Sequence, residues 1–263
     1  MLRTKLALTT LTLVGAAMIA AGLAGVGASA SAATSTSSYR LSYGYDAYTG
    51  LTKVARWAPC TVIGGIRRTH VINYRIRTAG VAGRVTLVKQ AMARLANTTG
   101  LHFRYLGRTS YIPQGKLVGG TMRLEAARQH RATGAGLVVA WAYGGTGKGR
   151  SNLLTPTEAG AGSISWASSA RSQLRIGDAA VVMKRGIHLK SGFQSGGSVG
   201  TLLLHELGHA VGLQHVTATR EVMYPVIGLT SPAGYTTGDR AGLAKVGAGA
   251  GCMHTAGLPP VNP

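Results

Sequence analysis

Acidic side chains are scarce in this chain. Seven Asp and Glu stand against 28 Lys and Arg over 263 residues, for a formal net charge of +21. So few carboxylates leave no evident acidic cluster for structural calcium. The basic residues are scattered, with Arg-Arg only at Arg67-Arg68. Without a basic run or aromatic-basic interleaving, no specific nucleic-acid binding is expected. The charge reads as solubility and non-specific adhesion to polyanions such as anionic cell-wall polymers. A phosphate-binding loop is also excluded. In GGTGKGRS, Gly144 to Ser151, Lys148 is followed by Gly149 where a Walker A loop needs Ser or Thr. Only two cysteines occur, Cys60 and Cys252. Histidines elsewhere are isolated: His70 reads as a surface residue and His102 as structural. Glu125 and His130 do not make up a second metal site. Glycine is abundant, at 39 residues, which implies long pliable loops.

One stretch is dense in chemistry: HELGHAVGLQH, His205 to His215. His205 and His209 are four apart, so on a helix both imidazoles share one face. Two rings so placed can grip one ion at about 2.0–2.1 Å. Glu206 points roughly 100° away around the helix and is better placed as a base than as a ligand. His215 lies beyond the reach of a straight helix. Gly212 can take a positive φ and turn the chain, bringing His215 back from a loop as the third ligand. Three protein ligands with an open fourth position suit catalytic zinc.

The start of the chain has the layout of a secretory signal. Arg3 and Lys5 form a positive region, Leu6 to Val26 is apolar, and Ala28-Ser29-Ala30 and Ala30-Ser31-Ala32 are cleavage candidates. A retained membrane anchor is the rival reading of the apolar run. Residues 1–32 are therefore expected to be a signal peptide. Residues 33–55, without helix or strand period, are expected to be a flexible linker or short pro-segment, and 255–263 a disordered tail. In an exported chain two cysteines read as a disulfide, closing a long loop and stabilising by roughly 3–5 kcal/mol.

Between these ends, periodicity predicts a strand at His70 to Arg77, a helix at Arg84 to Ala96 and a strand at His102 to Leu106. An insertion over 107–135 includes a short helix at Leu124 to His130. Buried strands follow at Gly136 to Tyr143 and Asp178 to Lys184, with a short edge strand at Gly162 to Ala167 between them. The histidine helix, Thr201 to Gly212, is apolar almost all round and belongs in the interior. A last helix spans Asp239 to Val246.

The extended H-E-x-x-H-x-x-G-x-x-H pattern, with Met223 eight residues beyond His215 in EVMYP, resembles the metzincin zinc metalloproteases and, among them, secreted bacterial matrixin-like members. The resemblance implies an α+β fold over residues 56–254: a mixed twisted sheet with an antiparallel edge strand, a buried zinc-binding helix, a Met-turn and a C-terminal helix. It implies Zn²⁺ on His205, His209 and His215, and hydrolysis of peptide bonds by a metal-bound water with Glu206 as general base. Tyr224, or a backbone N–H, would assist the oxyanion. Substrate peptides would lie extended along the edge strand near Ser163 to Trp166. Val216 stands where matrixins commonly have Ser after the third histidine. The surroundings of Cys60, WAPCTV, do not match the matrixin cysteine switch. The expected protein is a secreted, extracellular or cell-envelope-associated monomer acting on proteins or peptides. The alternative is a non-catalytic, metal-stabilised envelope module adhering to polyanions, which the intact Glu206 disfavours.

Overall fold

The computed structural model describes residues 38–46, 49–168 and 173–253, together with the backbone of residues 15–19. The expected signal-cleavage sites and the tail at 255–263 lie outside the described residues. In chain order the first strands are β1 (Gly15–Ile19), β2 (Arg40–Leu41), β3 (Tyr43–Tyr45), β4 (Thr52–Arg56), β5 (Cys60–Ile63), β6 (Ile66–Thr69) and β7 (Val71–Arg77). Helix α1 (Arg84–Thr99) leads to β8 (His102–Arg108), the hairpin β9 (Gly115–Val118) and β10 (Thr121–Leu124), then α2 (Ala126–Thr133). Strands β11 (Leu137–Gly144), β12 (Arg150–Ser151), β13 (Glu158–Ser168) and β14 (Leu174–Lys184) precede helix α3 (Val199–Ala210). Strands β15 (Leu213–Gln214) and β16 (Val226–Ile227) and helix α4 (Thr237–Val246) follow.

The central sheet runs β8-β7-β11-β14-β13. The first four strands are mutually parallel, and β13 is antiparallel to β14. This is the expected α+β arrangement with an antiparallel strand toward one edge. The apolar runs of β11 and β14 are continuous because both faces are covered. Alternate residues such as Val139, Trp141, Ala179 and Val181 join the main core with α1, α3 and α4. Those between them, including Ala142, Ala180 and Val182, meet Leu124, Leu153 and Leu154 on the other face. Helix α1 ends at Gly100, whose φ of 67° is the left-handed cap that glycine accommodates.

Two regions differ from the sequence expectation. Residues 33–55, expected to lack regular structure, contain β2, β3 and most of β4 in their described part. These strands are short and draw their order from partners far along the chain: β2 pairs with β15, and the Ser42 N–H donates to Gly212 O at 2.7 Å. Strand β13 is also longer than the short edge strand expected. It has 11 residues, extending back through Glu158-Ala-Gly-Ala-Gly162. That stretch has no alternation of apolar and polar side chains and low β-propensity, so only its pairing with β14 and its packing on α3 make it a strand.

The disulfide expected from composition is present. Cys60 is bonded to Cys252 across 192 residues, joining the start of the domain to the segment after α4.

Candidate metal centre

Ser198 begins α3 in extended conformation, and its hydroxyl accepts from the Thr201 N–H at 3.1 Å. This satisfies one of the unpaired donors of the first turn. Every residue from Gly200 to Ala210 is buried, which explains a helix that is apolar almost all round. Its polar side chains are therefore buried as well. Two distant residues brace it: Tyr235 Oη donates to Leu204 O at 2.8 Å, and Trp57 Nε1 to Ala210 O at 2.9 Å. The helix ends at Ala210, and Gly212 turns the chain with a φ of 108°. A Cβ there would lie 2.5 Å from Ala55 O, so both conformation and space require glycine.

The turn brings His215 to the other two histidines. The three Nε2 atoms form a triangle with sides of 3.1, 3.1 and 3.2 Å. His205 Nδ1 donates to Val222 O at 2.6 Å and His209 Nδ1 to Leu213 O at 2.9 Å. With those protons committed outward, the Nε2 lone pairs of both rings face the centre of the triangle. Such convergence is unfavourable unless a cation fills it. A tetrahedral ion with nitrogens at about 2.0–2.1 Å sets them about 3.3–3.4 Å apart, close to the observed triangle. The backbone acceptors also set each tautomer and ring orientation, as partners of metal-bound imidazoles do. Burial pushes His205 down to about 3, aided by His215, and holds His209 well below the ordinary histidine range. Burial, together with Arg40, pushes His215 down to about 4. The rings are thus neutral at physiological pH, as ligation requires.

Glu206, which follows His205 on α3, is fully buried, and neither carboxylate oxygen has a hydrogen-bond partner of normal geometry among the described residues. Burial, and then the nearby Glu158, raise its pKa well above the ordinary range, and the Gly162 N–H only partly opposes this. A buried carboxyl so poorly hydrogen-bonded is costly to maintain, which makes Glu206 a candidate working group.

The residues that make room for it were not anticipated from sequence. A Cβ on Gly160 would lie 2.5 Å from Glu206 Oε1, and one on Gly162 would lie 2.6 Å from both Glu206 O and His209 Cβ. Strand β13 thus approaches α3 as closely as it does only because it has no side chain at these two points. Glycine at alternate positions of a strand was the available signal.

Met223 is buried as expected, and its sulfur lies 2.4 Å from where a Cβ on Gly208 would be, so it packs directly on the histidine helix. The turn that carries it is held by Asp239 at the start of α4. Asp239 accepts from the Val222 N–H at 2.8 Å and the Met223 N–H at 3.1 Å. Since Val222 O receives the His205 proton, a single peptide links Asp239 to a histidine of the triangle. Tyr224 is half-buried on the wall of an open cleft of about 560 Å³, shared with His188, Val226, Ile227 and Leu229. Among the described residues His130 and Glu125 join no metal-binding group, and His130 lies 3.7 Å from Asp178.

Strand β13 also carries a second neighbour. The backbone of β1 pairs antiparallel with it from Gly162 to Glu158 and parallel with β16 at Val226 and Ile227. An extended segment thus lies between the edge strand and the segment after the Met-turn. The ring of Trp166, in the stretch expected to receive substrate, is packed on by β3: a Cβ on Gly44 would lie 2.4 Å from it.

The family model described as Matrixin matches residues 70–246, which span the central sheet, the three histidines and α4. No curated protein matches the chain.

Proposed function

The chain belongs to the matrixin family of zinc-dependent metalloproteases, and from that premise we propose that it is a secreted endopeptidase working through His205, His209, His215 and Glu206. The observation that carries this reading is Glu206, a fully buried and poorly hydrogen-bonded carboxyl that follows His205 on α3, the helix that supplies two of three imidazoles with converging Nε2 atoms. A purely structural ion has no use for such a base and usually takes four protein ligands.

The three imidazoles would hold Zn²⁺. When bound, the ion acidifies water and polarises a substrate carbonyl. Glu206 takes a proton from the attacking water and returns it to the departing amine, so the peptide C–N bond is exchanged for a C–O bond with no net proton change. The Tyr224 hydroxyl or a backbone N–H hydrogen-bonds the developing oxyanion. Substrate backbone adds to β13 along Glu158 to Gly162, and the way β1 pairs there supports this position. Main-chain pairing of that kind accepts many sequences, as an endopeptidase requires.

Export is supported by the signal-like start of the chain and by the disulfide, which suits an oxidising compartment. Among the described residues, no helix is long and apolar enough to cross a membrane. Mass spectrometry of the secreted protein's N-terminus checks the cleavage position. Glu206→Gln should keep zinc and lose at least about 10²-fold in peptide hydrolysis. Full activity in that variant would sink the assignment. Hydrolysis that a chelator fails to suppress would contradict the metal's part in it.

A further inference from the structure

Strands β5 and β6 form a hairpin unlike the rest of the domain. It precedes the family-matched residues 70–246. Its turn is Gly64-Gly65, with φ of 57° and 79°, the tight two-residue connection that needs glycine at both places. Its register sets Ile63 opposite Ile66 at the tip, Val62 opposite Arg67, and Thr61 opposite Arg68. All of β6 is exposed, with Ile66 at 63 %, and Ile63 at the end of β5 is 60 % exposed. Neither arginine forms an ion pair among the described residues. The base, by contrast, is fixed: Cys60 is bonded to Cys252, Thr61 bridges to Met253, and Thr61 Oγ1 lies 3.0 Å from His70 Nε2.

We propose that this hairpin docks the protein on anionic lipid bilayers. Three aliphatic side chains at the tip of a rigid projection stay in water at a cost unless something apolar receives them. At about 3.3 Å per residue, the guanidinium-bearing positions lie roughly 3–7 Å behind Ile66. That spacing places Arg67 and Arg68 at the phosphates when the tip enters the boundary between headgroups and acyl chains, a depth of about 5–10 Å. The net charge of +21 adds long-range attraction to the same surface. A hydrophilic polyanion could satisfy the arginines but would leave Val62, Ile63 and Ile66 exposed. The chemistry therefore favours a bilayer over a wall polymer. Docking would hold the peptidase at the envelope without a membrane-spanning segment.

The test is co-sedimentation of the purified protein with phosphatidylcholine vesicles, with and without phosphatidylglycerol. Binding should require phosphatidylglycerol and weaken as ionic strength rises. Ile63→Ser with Ile66→Ser, and separately Arg67→Gln with Arg68→Gln, should each lower the partition coefficient by roughly tenfold or more. The thermal unfolding midpoint and the disulfide should be retained in both. A tryptophan replacing Ile63 should shift its emission to the blue on adding anionic vesicles. Binding lost in the arginine variant but kept in the isoleucine variant, with no emission shift, would overturn the proposal in favour of a plain polyanion contact. Binding that instead depends on Leu117 and Val118, at the other Gly-Gly hairpin of β9 and β10, would place the surface elsewhere and equally overturn it. None of these outcomes depends on whether peptides are cleaved.

Discussion

Gly160 of β13 stands directly against Glu206 of α3: a methyl group added to the glycine would lie 2.5 Å from the carboxylate oxygen. The two residues are 46 positions apart in sequence. Gly160 has no positive φ, so space rather than backbone conformation demands glycine. Gly160→Ala should therefore fold, yet push the carboxylate from its place. We expect kcat to fall by about 10- to 100-fold, since small displacements of a reacting group are costly. Zinc content should be unchanged. Steady-state kinetics with metal analysis check this, and normal kcat in the variant would show that Glu206 is not confined as described.

Asp239 controls the opposite side of the centre. Its carboxylate receives the Val222 and Met223 N–H groups, the Thr236 N–H and the Thr236 hydroxyl. Asp239→Asn would turn a donor toward these donors and release the peptide that orients His205. Zinc affinity should fall by about 10- to 100-fold, as for other changes behind metal-binding histidines. Competition with a chromogenic chelator measures it. Stability should drop by roughly 1–3 kcal/mol.

Burial pushes the Asp178 carboxyl up to about 7. His130 Nδ1, 3.7 Å away, is too distant for a hydrogen bond that would offset this. A carboxyl with a raised folded-state pKa binds more protons folded than unfolded between about pH 4 and pH 7. Stability must therefore decrease as pH rises through that window and stay lower above it. Asp178→Asn should remove this loss and stabilise the protein at pH 8 by roughly 2–4 kcal/mol, with little change near pH 4. Denaturant unfolding at the two pH values gives the comparison. Equal effects at both would refute the assignment.

Replacing Cys60 and Cys252 together by serine releases a cross-link spanning 192 residues. Loop-entropy arguments put the loss at roughly 3–5 kcal/mol. Guanidinium denaturation, with and without reductant, should show the wild type falling to the level of the double variant when reduced. The anchoring of the β5–β6 hairpin should loosen at the same time, seen as faster amide exchange at Thr61 and Met253.

Much of the domain was legible because its signals are local. The apolar runs of β11 and β14, the spacing of α1 and the polar positions of α3 follow periodicities that a short window carries. What stayed hidden depended on distant partners. Glu158 to Gly162 does not read as a strand until β14 and α3 enclose it. Residues 38–46 do not read as ordered until Leu213 and Gln214 pair with β2 and Gly212 O accepts from Ser42. The burial of the Trp166 ring was hidden for a similar reason: nothing near it in sequence shows that Gly44 packs on it.

By itself, the sequence determined which side chains gather at the centre. Spacings of four and six residues around a helix and a glycine turn specify three imidazoles and a neighbouring carboxyl, because helix geometry makes those positions neighbours wherever the helix lies. Only the tertiary structure decided which backbone oxygens set the two tautomers, that Asp239 supports one of them, and that two glycines of β13 leave room for Glu206. Those contacts join segments far apart in the chain. Backbone carbonyls have no residue signature, and a glycine does not reveal which distant side chain it makes room for, so packing alone could bring them to the centre.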